Sequence, residues 1–406
     1  MEKTNGSRTS MVVWLEPPLP RAVPMGNSRL STPMTDPRFG IEEEYFVTDL
    51  KTLKMVGSPP FQAIEACREV MGAWFATEMF QGQIEVASPI FSEFAQASDF
   101  LRGSRQALRE ALEPFGLGVV CAGSHPLADW REQVATDEEH FHQLFERYGH
   151  VARRSVLSGL HVHVEVAQPL DRIAVMNEVL PWTPLLLALS CSSPLWDGAS
   201  SGFMSYRQTA CDEWPRMGIP PLFVDQRHYD EHLAFLSRVG AISQPGECWW
   251  GIRPAVRYPT LELRMTDACP RVDDALTLAA FFRVLVAHAS AQRRPGLLYD
   301  QTARSMLGEN RWRAKRFGIH GRFIVEGIDG DCSIGQWLAL AEQRFADTAQ
   351  GLGTPQLFER ARAIIDGGTS ADRQLALFDQ AMAQPHVGLS VLAQVTDLLL
   401  QETVAG

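Results

Sequence analysis

Lysine is scarce in this 406-residue chain: only Lys3, Lys51, Lys54 and Lys315 occur, against 37 lysines and arginines together. No lysine follows a glycine, and no glycine-rich turn opens a helix after a strand, which excludes a Walker-type phosphate loop. A bound nucleotide would have to be held by arginines or metal ions. H-E-x-x-H and C-x-x-C are absent as well, removing the usual zinc-protease and redox signatures. The seven cysteines are scattered, and an odd number without an export signal points to reduced thiols in a cytoplasmic protein. Long apolar runs are missing too. Residues 179–196 contain prolines, and 275–291 carry Arg283 and His288, so neither is expected to span a bilayer. The N-terminal patch MVVWLEPPLP is broken by Glu16 and three prolines, too short for a signal segment. Positive charge is in deficit: a net charge of −11 argues against nucleic acid or an anionic membrane as partner.

What is present is alternation. GIEEEYFV (40–47), QIEVA (83–87), LHVHVEV (160–166) and TLELRMT (260–266) each place polar residues between apolar ones. Successive side chains on a strand point to opposite faces. Glu42 and Glu44 therefore share a face, as do His161, His163 and Glu165, and as do Glu262 and Arg264. Ile41, Tyr45, Val47, Ile84, Val86, Val162, Val164, Val166, Leu261, Leu263 and Met265 fill the opposite phase. Four such strands predict a sheet with helices behind it and a charged cavity in front. So many carboxylates on one surface would repel unless cations sit among them.

Residues 1–35 lack periodicity and read as a flexible extension. The structured part, 36–406, is expected as one catalytic α+β domain, mainly helical from about 300. Helical spacing covers 61–72 and 92–115, residues 171–190 read as a helical or apolar region, and 116–123 reads as a short buried strand. Thr136 with Glu139 predicts a capping box opening a helix to about Arg147. Residues 192–222 read as a long loop. After the 259–267 strand, Asp273 or Asp274 is expected to cap a helix running to about Ser290. Helices at 370–383 and 389–402 complete the pattern. Single strands among helices favour an α+β fold with a largely antiparallel sheet.

Each candidate site residue has a plainer reading beside it. Glu42 and Glu44 form an E-x-E pair suited to Mg²⁺ or Mn²⁺, or they are solvated charges on a surface strand. Glu43 points among the apolar residues and needs a buried partner. Glu85 is a third strand carboxylate. Glu78 lies at an odd offset from it, and a turn at Gly82 could re-aim it. His161 and His163, with Glu165 available as third ligand, offer a zinc site and hence a hydrolase, although either histidine could equally be a core residue. Glu262 and Arg264 form a simple ion pair or, in a phosphate site, a metal ligand beside a phosphoryl-stabilising guanidinium. Arg207 and Arg253 add cationic grip or are merely solvated. A protein that binds a nucleotide or amino acid without turnover is the remaining alternative.

GIEEEYFV, TEMFQGQIEVASP, AGSHPLADW, SGLHVHV, the loop with SYR and RMGIPP, and WWGIRPAVRYPTLELRMTD occur in a single order across residues 36–300. This set resembles the carboxylate–amine ligases of the type-2 glutamate–cysteine ligase family. The resemblance implies a glutamine synthetase-like, curved antiparallel sheet forming an active-site funnel, with helices on its outer face. It implies ATP with Mg²⁺ or Mn²⁺, and an acyl phosphate made from a small-molecule carboxylate and consumed by an amine, with glutamate and cysteine as the default pair. A homo-oligomer is expected. By position, Glu42, Glu44, Glu78, Glu85 and Glu262 resemble metal-binding acids, and Glu42, Glu262 and Arg264 the catalytic set. His161 and Arg264 resemble nucleotide contacts and Arg207 a substrate contact; Arg253 is a further candidate for holding the nucleotide and His163 for holding substrate.

Overall fold

The computed structural model describes residues 36–292, 300–383 and 390–405; the expected flexible extension lies outside them. Its centre is a seven-stranded sheet built from β1 (Phe39–Asp49), β2 (Phe75–Thr77), β3 (Gln83–Ala87), β4 (Leu117–Val120) and β5 (Gly159–Glu165). Two separate hairpin strands, β6 (Leu195–Trp196) and β7 (Ala199–Ser200), precede β8 (Ile252–Pro254) and β9 (Thr260–Asp267), which complete the sheet. A last hairpin joins β10 (Arg322–Phe323) to β11 (Cys332–Ser333).

The sheet order is β2-β3-β1-β5-β9-β8, with β4 paired to the far end of β1, and every pairing is antiparallel. The first and last strands do not meet, so the sheet stays open. β1 is the organiser: Phe39–Glu43 pairs with β5, Glu42–Phe46 with β3, and Phe46–Asp49 with β4.

The apolar phase behaves as alternation requires. Ile41, Tyr45, Val47, Ile84, Val86, Val162, Val164, Leu261, Leu263 and Met265 are all buried. They pack on the helices Phe94–Leu112 and Val272–Ala291 and on the helical stretch 172–190. Arg172–Ser190 and Val272–Ala291 are long and apolar enough to cross a membrane, yet 83% and 72% of their windows are buried inside this fold, which makes them core helices. All seven cysteines are buried and free.

Some local expectations change. Thr136 does not cap a helix. Its N–H donates to the Met79 carbonyl at 2.9 Å and its hydroxyl to the Glu78 carbonyl at 2.5 Å, because residues 134–136 run beside 79–81. The helix begins three residues later, as Glu139–Tyr148. Asp273 and Asp274 lie inside the first turn of Val272–Ala291, where the helix dipole favours acids, and Arg271 takes the cap position. The long 192–222 loop contains β6, β7 and the short helix Tyr206–Cys211. The helix Gln226–Arg238, with Tyr229, Leu233 and Leu236 on its packed face, and the short strands β2 and β8 come in addition to the expected elements.

Candidate active site

Register converts separate motifs into one cluster. Glu44 faces Glu85 across β1 and β3, Glu42 faces His161 across β1 and β5, His163 faces Glu262 across β5 and β9, and Glu262 faces Arg253 across β9 and β8. Directly opposed residues of an antiparallel pair project from the same face. A row of carboxylates and imidazoles thus runs across four strands and ends on a fifth, β8, in the Arg253 guanidinium. Three groups result, each with one ligand atom per residue within 4.8 Å of the others: Glu42–Glu85–His161, Glu42–His163–Glu262 and Glu44–Glu78–Glu85.

Glu78 joins because β2 and β3 form a hairpin, with residues 78–82 as its turn. The odd sequence offset disappears once the chain reverses there. The Thr136 hydroxyl holds the Glu78 peptide from behind. Gly82 is needed in this turn, since a Cβ would stand 2.1 Å from the Val56 carbonyl oxygen.

The electrostatics divide the acids into two kinds. Burial opposes ionisation of Glu42, but hydrogen bonds with His161 and His163 outweigh it and hold its carboxyl well below the usual range. Nδ1 of His161 lies 3.2 Å from Glu42 Oε2, and Nε2 of His163 3.1 Å from Oε1. Burial likewise works against Glu262, and the charges of Arg264 and Arg253 overcome it, keeping the carboxylate ionised. Arg264 contacts Glu262 through Nη1, and Arg253 donates to it from Nε at 2.7 Å and Nη2 at 3.2 Å. Glu78 and Glu85 behave oppositely. Burial and the Glu44 charge push Glu78 up to about 8, and burial with the charges of Glu42, Glu78 and Glu44 pushes Glu85 well above the usual range. Burial, followed by the Arg264 charge, lowers the basicity of His161.

This donor set fits divalent cations. Nε2 of His161 is buried without a hydrogen bond. Glu78 and Glu85 share a hydrogen bond and retain protons that a cation would displace. Carboxylate-rich ligation suits Mg²⁺ or Mn²⁺. The histidine–glutamate zinc set does not assemble. Glu165 lies roughly 13 Å along the strand from His161 by the ordinary rise per residue, and it pairs instead with Arg38 at 2.9 Å.

Two arginines are more deeply engaged than loop residues should be. Arg207 is 6% exposed and donates from Nη1 to the carbonyls of Arg264 at 3.3 Å and Thr266 at 3.0 Å. A Cβ on Gly159 would stand 2.2 Å from Arg207 Nη2 and 2.9 Å from His161 Nε2, so only glycine lets these groups approach. The Gly159 N–H also donates to Glu44 at 2.6 Å. Arg253 spends its remaining nitrogen on the Gly246 and Cys248 carbonyls, both at 2.8 Å. Its guanidinium is occupied holding Glu262 and the 245–248 turn.

Other residues escaped notice in the sequence. Glu43 finds its partner in Arg105: Nη2 lies 2.5 Å from one Glu43 oxygen, Nε 3.1 Å from the other, and the Tyr45 hydroxyl 2.5 Å from the latter. Arg105 sits in the buried stripe Leu101–Arg105–Leu108–Leu112, an i, i+4, i+7 pattern that flags a buried cation. Asp267 anchors the Arg207 loop by accepting from the Ser193 hydroxyl at 2.7 Å and the Ser205 hydroxyl at 2.8 Å. Ser193 then accepts from the Arg207 N–H at 3.0 Å.

The family model described as "Glutamate-cysteine ligase family 2(GCS2)" matches residues 38–392. A Pseudomonas fluorescens protein named "Putative glutamate--cysteine ligase 2" is 57% identical over 364 residues, covering 90% of this chain and 94% of the relative. A protein of the same name from Pseudomonas aeruginosa is 46% identical over 367 residues, covering 90% and 89%. Among solved structures, a Francisella tularensis glutamate–cysteine ligase in complex with AMP superimposes with a TM-score of 0.67 at 12% identity, covering 91% of this chain and 89% of that one. A bifunctional glutathione synthetase from Pasteurella multocida gives 0.65 at 16% identity, covering 90% of this chain and 52% of its own. At those identities the likeness concerns the fold.

Proposed function

The chain belongs to glutamate–cysteine ligase family 2, a family of amide-forming ligases, and from that premise we propose that it is a cytoplasmic, ATP- and Mg²⁺-dependent carboxylate–amine ligase. The observation that carries this reading is the convergence of Glu42, Glu44, Glu78, Glu85 and Glu262 from three segments far apart in the chain, with His161 and Arg264 among them. Those five acids would hold the divalent ions, with His161 and His163 at the edge of the set. When bound, such ions neutralise charge on the ATP phosphates.

The reaction needs two transfers. An oxygen of the substrate carboxylate bonds to the γ-phosphorus as the bond to ADP breaks, giving an acyl phosphate. The amine nitrogen then bonds to the acyl carbon, phosphate leaves with the C–O electron pair, and the surplus proton from nitrogen passes to phosphate or solvent. Arg264, fixed by Glu262, supplies positive charge where the phosphoryl group is transferred. Arg253 acts on Glu262 as a positioning residue, and Arg207 holds the β9 backbone that carries Arg264. Glutamate and cysteine are the default substrates.

Phosphate release from ATP tests the reading. Release should require a carboxylate and an amine together, and Glu42→Ala should abolish it. Turnover unchanged in that variant would overturn the assignment, and binding of Mg²⁺–ATP by calorimetry without turnover on any substrate mixture would mark a binding protein instead.

A further inference from the structure

Tyr148, Trp214 and Trp249 form one aromatic cluster, with ring centroids 4.9 Å (Tyr148–Trp214), 5.7 Å (Tyr148–Trp249) and 5.3 Å (Trp214–Trp249) apart. Trp214 is buried and donates its indole N–H to the Ser155 hydroxyl at 2.6 Å, while Tyr148 and Trp249 are half-buried. Arg216 lies against them. Its guanidinium carbon is 5.7 Å from the centre of Trp249, Nη2 donates to the Tyr148 hydroxyl at 2.8 Å, and Nε donates to the Glu247 carbonyl at 3.1 Å.

All of those partners are neutral. Among the described residues Arg216 has no carboxylate partner, whereas its neighbours Arg147, Arg154 and Arg253 pair with Glu247, Glu213 and Glu262. The backbone at Arg216 also has a φ of +60°, a region that long side chains rarely adopt. A half-buried guanidinium left without a counter-charge, on a backbone held in an unfavourable conformation, is suited to an anionic ligand.

Its place in the fold says which ligand. The Gly251 N–H donates to the Gly218 carbonyl at 2.7 Å and the Arg264 N–H to the Gly251 carbonyl at 2.8 Å, so three segments lie side by side. Arg216 and Trp249 each stand two residues before the two glycines. At a strand spacing of about 4.8 Å, the Gly218 backbone lies roughly 10 Å from that of Arg264. The segments that carry Arg216 and Trp249 therefore run beside the stretch of β9 that carries Arg264.

We propose that Arg216 and the Tyr148–Trp214–Trp249 cluster form the subsite for the amine substrate, an amino acid whose carboxylate pairs with Arg216 and whose apolar or aromatic side chain rests on the rings. This rests on the ligase reading and narrows it: the amine carries a free carboxylate and a bulky side chain. In this pose the carboxylate and side chain are held at the rim, and the amine nitrogen points inward to the acyl carbon.

The test compares phenylalanine with phenethylamine, which lacks only the carboxylate. ADP formation is followed with the full chain, Mg²⁺–ATP and glutamate, and binding of each amine is measured separately by calorimetry. Phenylalanine should bind more tightly than phenethylamine. Arg216→Gln should raise the KM and Kd for phenylalanine about tenfold or more, equivalent to about 1.4 kcal/mol, and leave phenethylamine unchanged. Arg216→Lys should restore part of the difference, and Trp249→Ala should weaken both ligands. Equal effects of Arg216→Gln on both amines, or none on either, would overturn the subsite even with ligase activity intact. Absence of ADP formation with every pair, cysteine included, would sink the ligase reading, and the calorimetry would still decide the subsite.

Discussion

Glu85 tests whether the acidic cluster is built for cations, because its replacement should move stability and function in opposite directions. Its carboxylate lies in two of the three close groups, within 4.8 Å of ligand atoms on Glu42, Glu44 and Glu78. Two unit charges at that separation repel by about 3 kcal/mol at an effective dielectric of about 20, and by about 1 kcal/mol in water. Proton retention by Glu78 and Glu85 already relieves part of this in the metal-free protein. Glu85→Gln preserves shape and hydrogen bonding but removes the charge, so it should stabilise the metal-free protein by about 1–3 kcal/mol. At about 2 °C per kcal/mol for a chain of this size, the melting temperature should rise by roughly 2–6 °C. Thermal melts in EDTA read this directly, and the gain should be larger at pH 8.5 than at pH 6, where protonation has already removed charge. Mg²⁺ should stabilise the wild type and have much less effect on the variant, whose phosphate release from ATP should be lost. A variant less stable than wild type in EDTA, with the full Mg²⁺ response, would refute the reasoning.

Further expectations concern pH, the buried ion pair and a glycine. Because Glu78 is pushed from about 4.5 up to about 8, the folded metal-free protein holds a proton there that the unfolded chain has lost. Its stability should therefore fall as pH rises from 4.5 to 8, and Glu78→Gln should flatten that slope in urea titrations. Arg105→Met leaves Glu43 charged and buried, and should lower unfolding stability by about 3–5 kcal/mol; the double change with Glu43→Leu should lie closer to wild type. Gly159→Ala forces apart Arg207 and His161. It should reduce turnover roughly tenfold or more, with a melting curve that shows the protein still folded.

Much of the sheet was legible because alternation has a short period. The apolar phase of 40–47, 160–166 and 260–266 implies a buried face, and the polar phase then has nowhere to go but the opposite one. The E-x-E pair, the two histidines and the Glu262–Arg264 pair could be named from that pattern alone. Glu78 could not be ranked, since its place depends on a chain reversal in a five-residue turn. Thr136 misled because the same hydroxyl that can cap a helix is here taken by the Glu78 carbonyl, a contact 58 residues distant.

By itself, the order of residues determined which side chains share a strand face, where the core helices lie and which acids are available as ligands, because these follow from local period and hydrophobicity. Tertiary structure alone decided the rest. Register across five strands set which acids meet, an arginine 62 residues away neutralised Glu43, and Arg253 and Glu165 were drawn to partners that no spacing rule reveals. Electrostatic interactions act through space, and distance in space between strands is not written in distance along the chain.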